Sequence, residues 1–200
     1  MCSSDLLTPC SAGYTTTDGL SGTLDVSYSN NTNAGAATAS ASYAGDVNHV
    51  AGIGSTNFTI VKATSSVPVT CSPTSFTYNG SAFTPCTAGY TTSDGLSDSL
   101  TVSYSNNTNA GTATATASYA GDSNHAAGSG SANFTISKVT STVTVTCLPT
   151  TVTYTGSAQT PCTAGYTTSD DLSGSLTVSY SSNTGAGIAT ASASYGGRSE

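Results

Sequence analysis

The tripeptide Thr-Pro-Cys ends at Cys10, at Cys86 and again at Cys162, and both intervals are 76 residues. "FTIVK" ends at Lys62 and "FTISK" at Lys138, the same interval again. Residues 103–125 restate residues 27–49 with changes only at Ala36, Ser40 and Val47. A chain that repeats itself must fold into units of one kind. This period exceeds the roughly 20–50 residues of a solenoid unit. It sits somewhat under the roughly 100 residues of an immunoglobulin domain. The boundaries fall at Lys62 and Lys138. They give a first repeat at 1–62 that lacks its opening strand, a complete middle repeat at 63–138, and a third at 139–200 that lacks its last strand. The chain therefore reads as a window from a longer array.

Within the middle repeat the hydrophobic pattern has a period of two. "SVPVTC" places Val67, Val69 and Cys71 on one face, and "TVTVTC" does the same with Val143, Val145 and Cys147. "SFTY" ends at an Asn79-Gly80 turn of the hairpin type. "SLTVSY" aligns Leu100, Val102 and Tyr104. "GTATATASY" sets Ala113, Ala115, Ala117 and Tyr119 against a threonine face, and "SANFTIS" aligns Ala132, Phe134 and Ile136. Such alternation predicts strands with one buried and one wet face. No stretch has a helical period. Six or seven short strands separated by turn residues predict an all-β chain of tandem immunoglobulin-like β-sandwiches arranged as an elongated array.

Composition bears on two objections. Leu, Ile, Val and Phe make up only 29 of the 200 residues, below the roughly 20% at which disorder becomes a serious reading. Alternation kept in register in every repeat answers that objection and predicts thin, alanine-faced cores. Three basic side chains against ten acidic ones argue against a nucleic-acid partner, which needs clustered Lys and Arg. No apolar run approaches the roughly 20 residues of a membrane span, so no membrane insertion is expected. "MCSSDLLTPC" has neither a basic region nor an apolar core of the signal-peptide kind. An export signal would lie on another part of the protein.

Cys71 and Cys86, like Cys147 and Cys162, stand 15 residues apart. A disulfide closing the first hairpin of each repeat is expected, the alternative being reduced core thiols. Closing a loop of that size stabilises by roughly 3 kcal/mol and suits an oxidising compartment. Cys10 has no regular partner after Met1, and Cys2 is the alternative one. Asp46 with Asn48 and Asp122 with Asn124 are weak calcium candidates, oxygen ligands without a bidentate acid at loop spacing. The competing reading is an Asx turn that ties down a loop. Both histidines sit at one repeat-equivalent loop, with no nucleophile placed as a hydrolytic triad requires. No enzyme activity and no cofactor are expected. The threonine face reads as a solvated strand face. Asn30, Asn57, Asn79, Asn106 and Asn133 begin glycosylation sequons that matter only in a host that uses them.

"SYAGDSNH", "NAGTATATASY" and the closing "ANFTISK" resemble the bacterial immunoglobulin-like repeats of large surface proteins, in particular the mostly-β, glycine-rich MBG type. The resemblance covers nearly all of residues 8–195. It implies a spacer or stalk module of an extracellular or cell-surface protein such as an adhesin, whose partners are neighbouring repeats, and it brings no catalytic residues. The chain departs from the pattern in its paired cysteines and at Arg198, which stands where Asp122 stands one period earlier. The alternative reading is a ligand- or glycan-binding module that uses the "SNNTNAG" and "AGDSNH" loops.

Overall fold

The computed structural model describes residues 8–197. Every regular element among them is a strand. The first segment holds β1 (Ala12–Thr15), β2 (Ser21–Leu24), β3 (Ser27–Ser29), β4 (Gly35–Tyr43) and β5 (Gly52–Ile60). The middle segment holds β6 (Ser65–Ser66), β7 (Val69–Cys71), β8 (Ser75–Thr77), β9 (Cys86–Thr92), β10 (Ser97–Leu100), β11 (Ser103–Ser105), β12 (Gly111–Tyr119) and β13 (Gly128–Ser137). The third holds β14 (Ser141–Cys147), β15 (Cys162–Thr168), β16 (Ser173–Leu176), β17 (Ser179–Ser181) and β18 (Thr190–Ser192).

The strands form six sheets, two from each segment. They run β1-β2 and β3-β4-β5; β10-β9-β6, with β7 also on β9, and β11-β12-β13-β8; and β14-β15-β16 and β17-β18. The chain makes two compact units. One comprises the described residues up to Ser72 with Pro85–Ser105 and Thr114–Asn133. The other comprises Pro73–Thr84, Asn106–Ala113 and the described residues from Phe134 on. The middle segment thus contributes to both.

The alanine face is the core. In the first unit Ala37 and Ala39 on β4, Ala115 and Ala117 on β12, and Val67 are buried; in the second, Ala113 on β12, Phe134 and Ile136 are. Small side chains let facing sheets approach closely, so one aromatic ring fills much of the remaining space.

Three expectations from the alternation need correction. "SLTVSY" is not one strand. The chain leaves one sheet after Leu100 and enters the other at Ser103, and inward-facing alternation survives that crossing. "SFTY" does not open a hairpin at Asn79-Gly80. β8 pairs parallel with β13, placing Phe76 opposite Ile136, and the next strand, β9, belongs to the other sheet. "SVPVTC" is split. Pro68 has no N–H to give to the ladder, and β6 and β7 flank it. Thr144 occupies the matching place in the third segment, where β14 runs unbroken beside β15.

Candidate functional site

Two disulfides link adjacent antiparallel strands. Cys71 on β7 is bonded to Cys86 on β9, and Cys147 on β14 to Cys162 on β15. β8 leaves for the second sheet between the first pair, so the bond clasps an edge strand to its neighbour rather than closing a hairpin. Cys10 is free and half-buried. Cys2 and Arg198 lie outside the described residues.

A tyrosine holds each of the three Thr-Pro-Cys cysteines. The Tyr104 hydroxyl accepts from the Cys86 N–H at 2.8 Å and donates to the Cys86 carbonyl at 2.9 Å. Tyr28 treats Cys10 in the same way at 3.0 and 3.0 Å, and Tyr180 treats Cys162 at 2.9 and 2.9 Å. Each clamp joins two sheets. Reading the tyrosines only as inward-facing rings missed it. The signal was the constant separation of 18 residues between cysteine and tyrosine. A stacked tyrosine pair adds a second tie: Tyr14 with Tyr43, Tyr90 with Tyr119 and Tyr166 with Tyr195, with centroids at 4.2, 4.0 and 4.0 Å.

The Asp-x-Asn-His motif follows β12, where Tyr119 of the stacked pair donates to Asp122 at 3.3 Å. Gly121 takes φ 73 in the loop after β12, a conformation open to glycine. A Cβ there would sit 2.7 Å from the His125 carbonyl oxygen. Asp122 Oδ1 accepts from the Asn124 and His125 N–H groups at 2.7 and 2.9 Å, which is an Asx turn. The His125 ring, only 12% exposed, lies between two carboxylates. Its Nδ1 is 2.7 Å from Asp122 and its Nε2 is 3.0 Å from Asp94 in the β9–β10 turn. Thr92 Oγ1 donates to Asp94 and orients it. His49 stands likewise between Asp46 at 2.8 Å and Asp18 at 3.1 Å.

With an acceptor at both ring nitrogens, the imidazolium is the favoured form. The Asp122 and then the Asp94 hydrogen bonds push His125 up from its ordinary value, and Asp18 and then Asp46 do so for His49. The His125 contact and the Asn124 N–H pull Asp122 down to about 2. The signs define a window. The histidine contribution is complete below about 6.5 and is lost as pH rises through the folded value. The carboxylate contribution is complete above about 3.8 and is lost as pH falls toward about 2. Both imidazoles should titrate above 6.5 by NMR. Asp122→Asn should lower the His125 midpoint, and Asp94→Asn should lower it less. Midpoints unmoved by both changes would refute the bridge.

The side chains of three calcium candidates, Asp46, Asp122 and Asn124, are engaged in other hydrogen bonds. Asp46 repeats the Asx turn of Asp122, accepting from the Asn48 and His49 N–H groups at 2.8 and 2.9 Å. The Asn124 side chain accepts from the Ala34 N–H at 2.9 Å and donates to Asn33 at 3.1 Å. Lys62 Nζ donates to the Asp122 carbonyl at 2.5 Å. The Ala63 N–H donates to the Asn124 carbonyl, and the Ala63 carbonyl accepts from the Ala126 N–H, each at 2.8 Å. "SNNTNAG" of the first segment and "AGDSNH" of the middle one therefore meet in a polar joint. Among the described residues, no group of three or more His, Cys, Asp or Glu could hold a metal ion. No described helix is long and apolar enough to cross a membrane. No family model, curated protein or solved structure matches this chain.

Proposed function

We propose that the chain is a structural spacer, a run of tandem immunoglobulin-like β-sandwich repeats of 76 residues. Its place is the stalk of a bacterial extracellular or cell-surface protein such as an adhesin, of the mostly-β, glycine-rich type it resembles. The polar joint carries the reading. Asn33, Ala34 and Lys62 are tied to the 122–124 loop of the next segment. The 29–35 loop of the first segment and the 122–125 loop of the middle one, two that a binding module would present, are engaged with each other. A stalk needs stiff joints more than deep cores, and hydrogen bonds across a joint resist bending without apolar burial. The two disulfides fit an oxidising compartment and limit how far a strand can peel away.

An array of this kind is elongated. Small-angle scattering should give a radius of gyration well above the roughly 16–17 Å of a compact 200-residue globule. A value that small would end the spacer reading. Replacing Asn124 with Ala should broaden the distance distribution through a looser joint. If glycan or cell binding tracks substitutions at 29–35 or 122–125 while the distribution stays fixed, the binding-module reading takes over.

A further inference from the structure

We propose that Asn79-Gly80 is a self-modifying site, at which the backbone converts the Asn79 carboxamide to a carboxylate through a cyclic imide. Asn-Gly occurs once in the chain, and the other eleven asparagines are each followed by a residue that carries a side chain. As text the pair is a hairpin turn. In the fold, β8 pairs parallel with β13, and Asn79-Gly80 lies in the open loop between β8 and β9. Asn79, Gly80, Ser81 and Ala82 are all exposed there.

The loop brings the reacting groups together. The Asn79 side-chain oxygen accepts from the Ser81 N–H at 2.9 Å. The turn closed in this way contains the Gly80 nitrogen, so the carboxamide carbon is folded back beside the atom that attacks it. The Ser81 N–H sits on the oxygen where negative charge develops during that attack. Among the described residues the Gly80 N–H has no hydrogen-bond partner, so the nucleophile is not tied up. Gly80 takes φ 78, and a Cβ on it would meet nothing within 4 Å, so the ring closes into open space. The flanks are fixed: the Tyr78 N–H donates to the Ser137 carbonyl at 2.9 Å and the Phe83 N–H to the Asn107 carbonyl at 2.8 Å.

The turn does not require the amide. One period on, Thr155-Gly156 holds the same place, with Gly156 at φ 77. The Gln159 N–H donates to the Asn183 carbonyl at 2.9 Å, as Phe83 does to Asn107. Asn79 is therefore a reactive group added to a turn that forms without it. Asp18-Gly19 and Asp94-Gly95 share the spacing, but a carboxylate is the poorer electrophile, and both are held by a threonine hydroxyl and a histidine.

The Gly80 nitrogen bonds to Asn79 Cγ, the bond from Cγ to the carboxamide nitrogen breaks, and that nitrogen leaves with the Gly80 proton as ammonia. Water then opens the imide. Attack at Cγ gives aspartate, and attack at the main-chain carbonyl gives β-linked aspartate, which adds a methylene to the main chain between the two fixed flanks. One water is consumed, one ammonia is released, and nothing is oxidised or reduced. Either product also erases the Asn79-Gly80-Ser81 sequon.

Peptide mapping of the full chain, incubated at physiological temperature and pH, tests this. The peptide holding residue 79 should gain one mass unit, and the chain should become one charge more acidic than its −7. An isoaspartate-specific carboxyl methyltransferase should label the β-linked fraction. Conversion at Asn79 should be at least about tenfold faster than at any other asparagine, and no slower than in the free peptide Thr-Tyr-Asn-Gly-Ser-Ala. Asn79→Thr, which copies the third segment, should abolish the acidic shift and leave the unfolding midpoint unchanged. Thr155→Asn should install a second acidic shift of the same size. An Asn79 that lasts as long as the other asparagines, or lasts longer in the folded chain than in the peptide, would overturn the proposal. So would an acidic shift that survives Asn79→Thr, or a Thr155→Asn chain that gains none.

Discussion

Gly130→Ala is expected to unseat the opening strand of the middle segment and to destabilise it by about 3 kcal/mol, at the upper end of overpacking changes. The cause is steric. Gly130 has no left-handed φ, so a side chain is allowed by the backbone and forbidden only by its neighbour. The added Cβ would fall 1.9 Å from the Val67 carbonyl oxygen and 3.3 Å from Val69 Cγ2. Neither obstacle is the loose end of a flexible chain. Because Cys71 remains bonded to Cys86, the strand can peel only as far as that bond permits. Amide exchange should therefore rise at 65–69 more than at Cys71. Gly54→Ala is the control, with nothing within 4 Å of the new atom, and should stay within about 0.5 kcal/mol of the parent chain. Urea unfolding of the two variants side by side checks both. Equal midpoints would mean that residues 65–71 do not sit against β13 in solution.

That contrast also shows where reading the sequence stops. Gly52-x-Gly54 and Gly128-x-Gly130 look alike as text, yet only the second pair has a strand against it. The alanine face of β12 was legible, because burial of one face of a strand forces a period of two and three consecutive even-step alanines satisfy it. "SLTVSY" misled for the same reason: alternation records which side faces the core, not which sheet supplies the backbone bonds. The parallel pairing of β8 with β13 joins residues about 60 apart in sequence, and no local pattern encodes it. Pro68 carried a readable signal, since a residue without an N–H marks a break in an edge strand. The His125 bridge needed Asp94, 31 residues away. The motif alone suggested an Asx turn, which the structure contains, but the second carboxylate comes from a turn on the other sheet. The joint at Asn124 depends on a residue 90 positions earlier. Asn33, Ala34 and Asn124 gave no sign in the sequence that they would meet, since amides and small residues abound throughout the chain.

Phe134→Ala is expected to cost about 3–5 kcal/mol, the range for emptying a buried aromatic site. Phe134 is 1% exposed and is the largest fully buried side chain among the described residues. Its ring meets Phe76 edge-on at 5.7 Å, and Phe76 in turn stacks on Phe83 at 4.4 Å. Ala113 is buried in the same unit, and an alanine has no rotamer with which to fill a neighbouring void. The cavity should therefore stay open, which is the condition under which such a change costs most. Phe58 on β5 supplies the comparison. It is only half-buried and meets Tyr28 edge-on at 6.1 Å. Removing a ring already partly in water loses less, so Phe58→Ala should cost about 1–2 kcal/mol. Equilibrium unfolding in urea gives both values, and Phe134→Leu should recover part of the loss by restoring volume. A Phe134→Ala change below about 1 kcal/mol would show that the two sheets do not close on this ring. The stability of the middle segment would then have to come from its ladders and its disulfide rather than from its core.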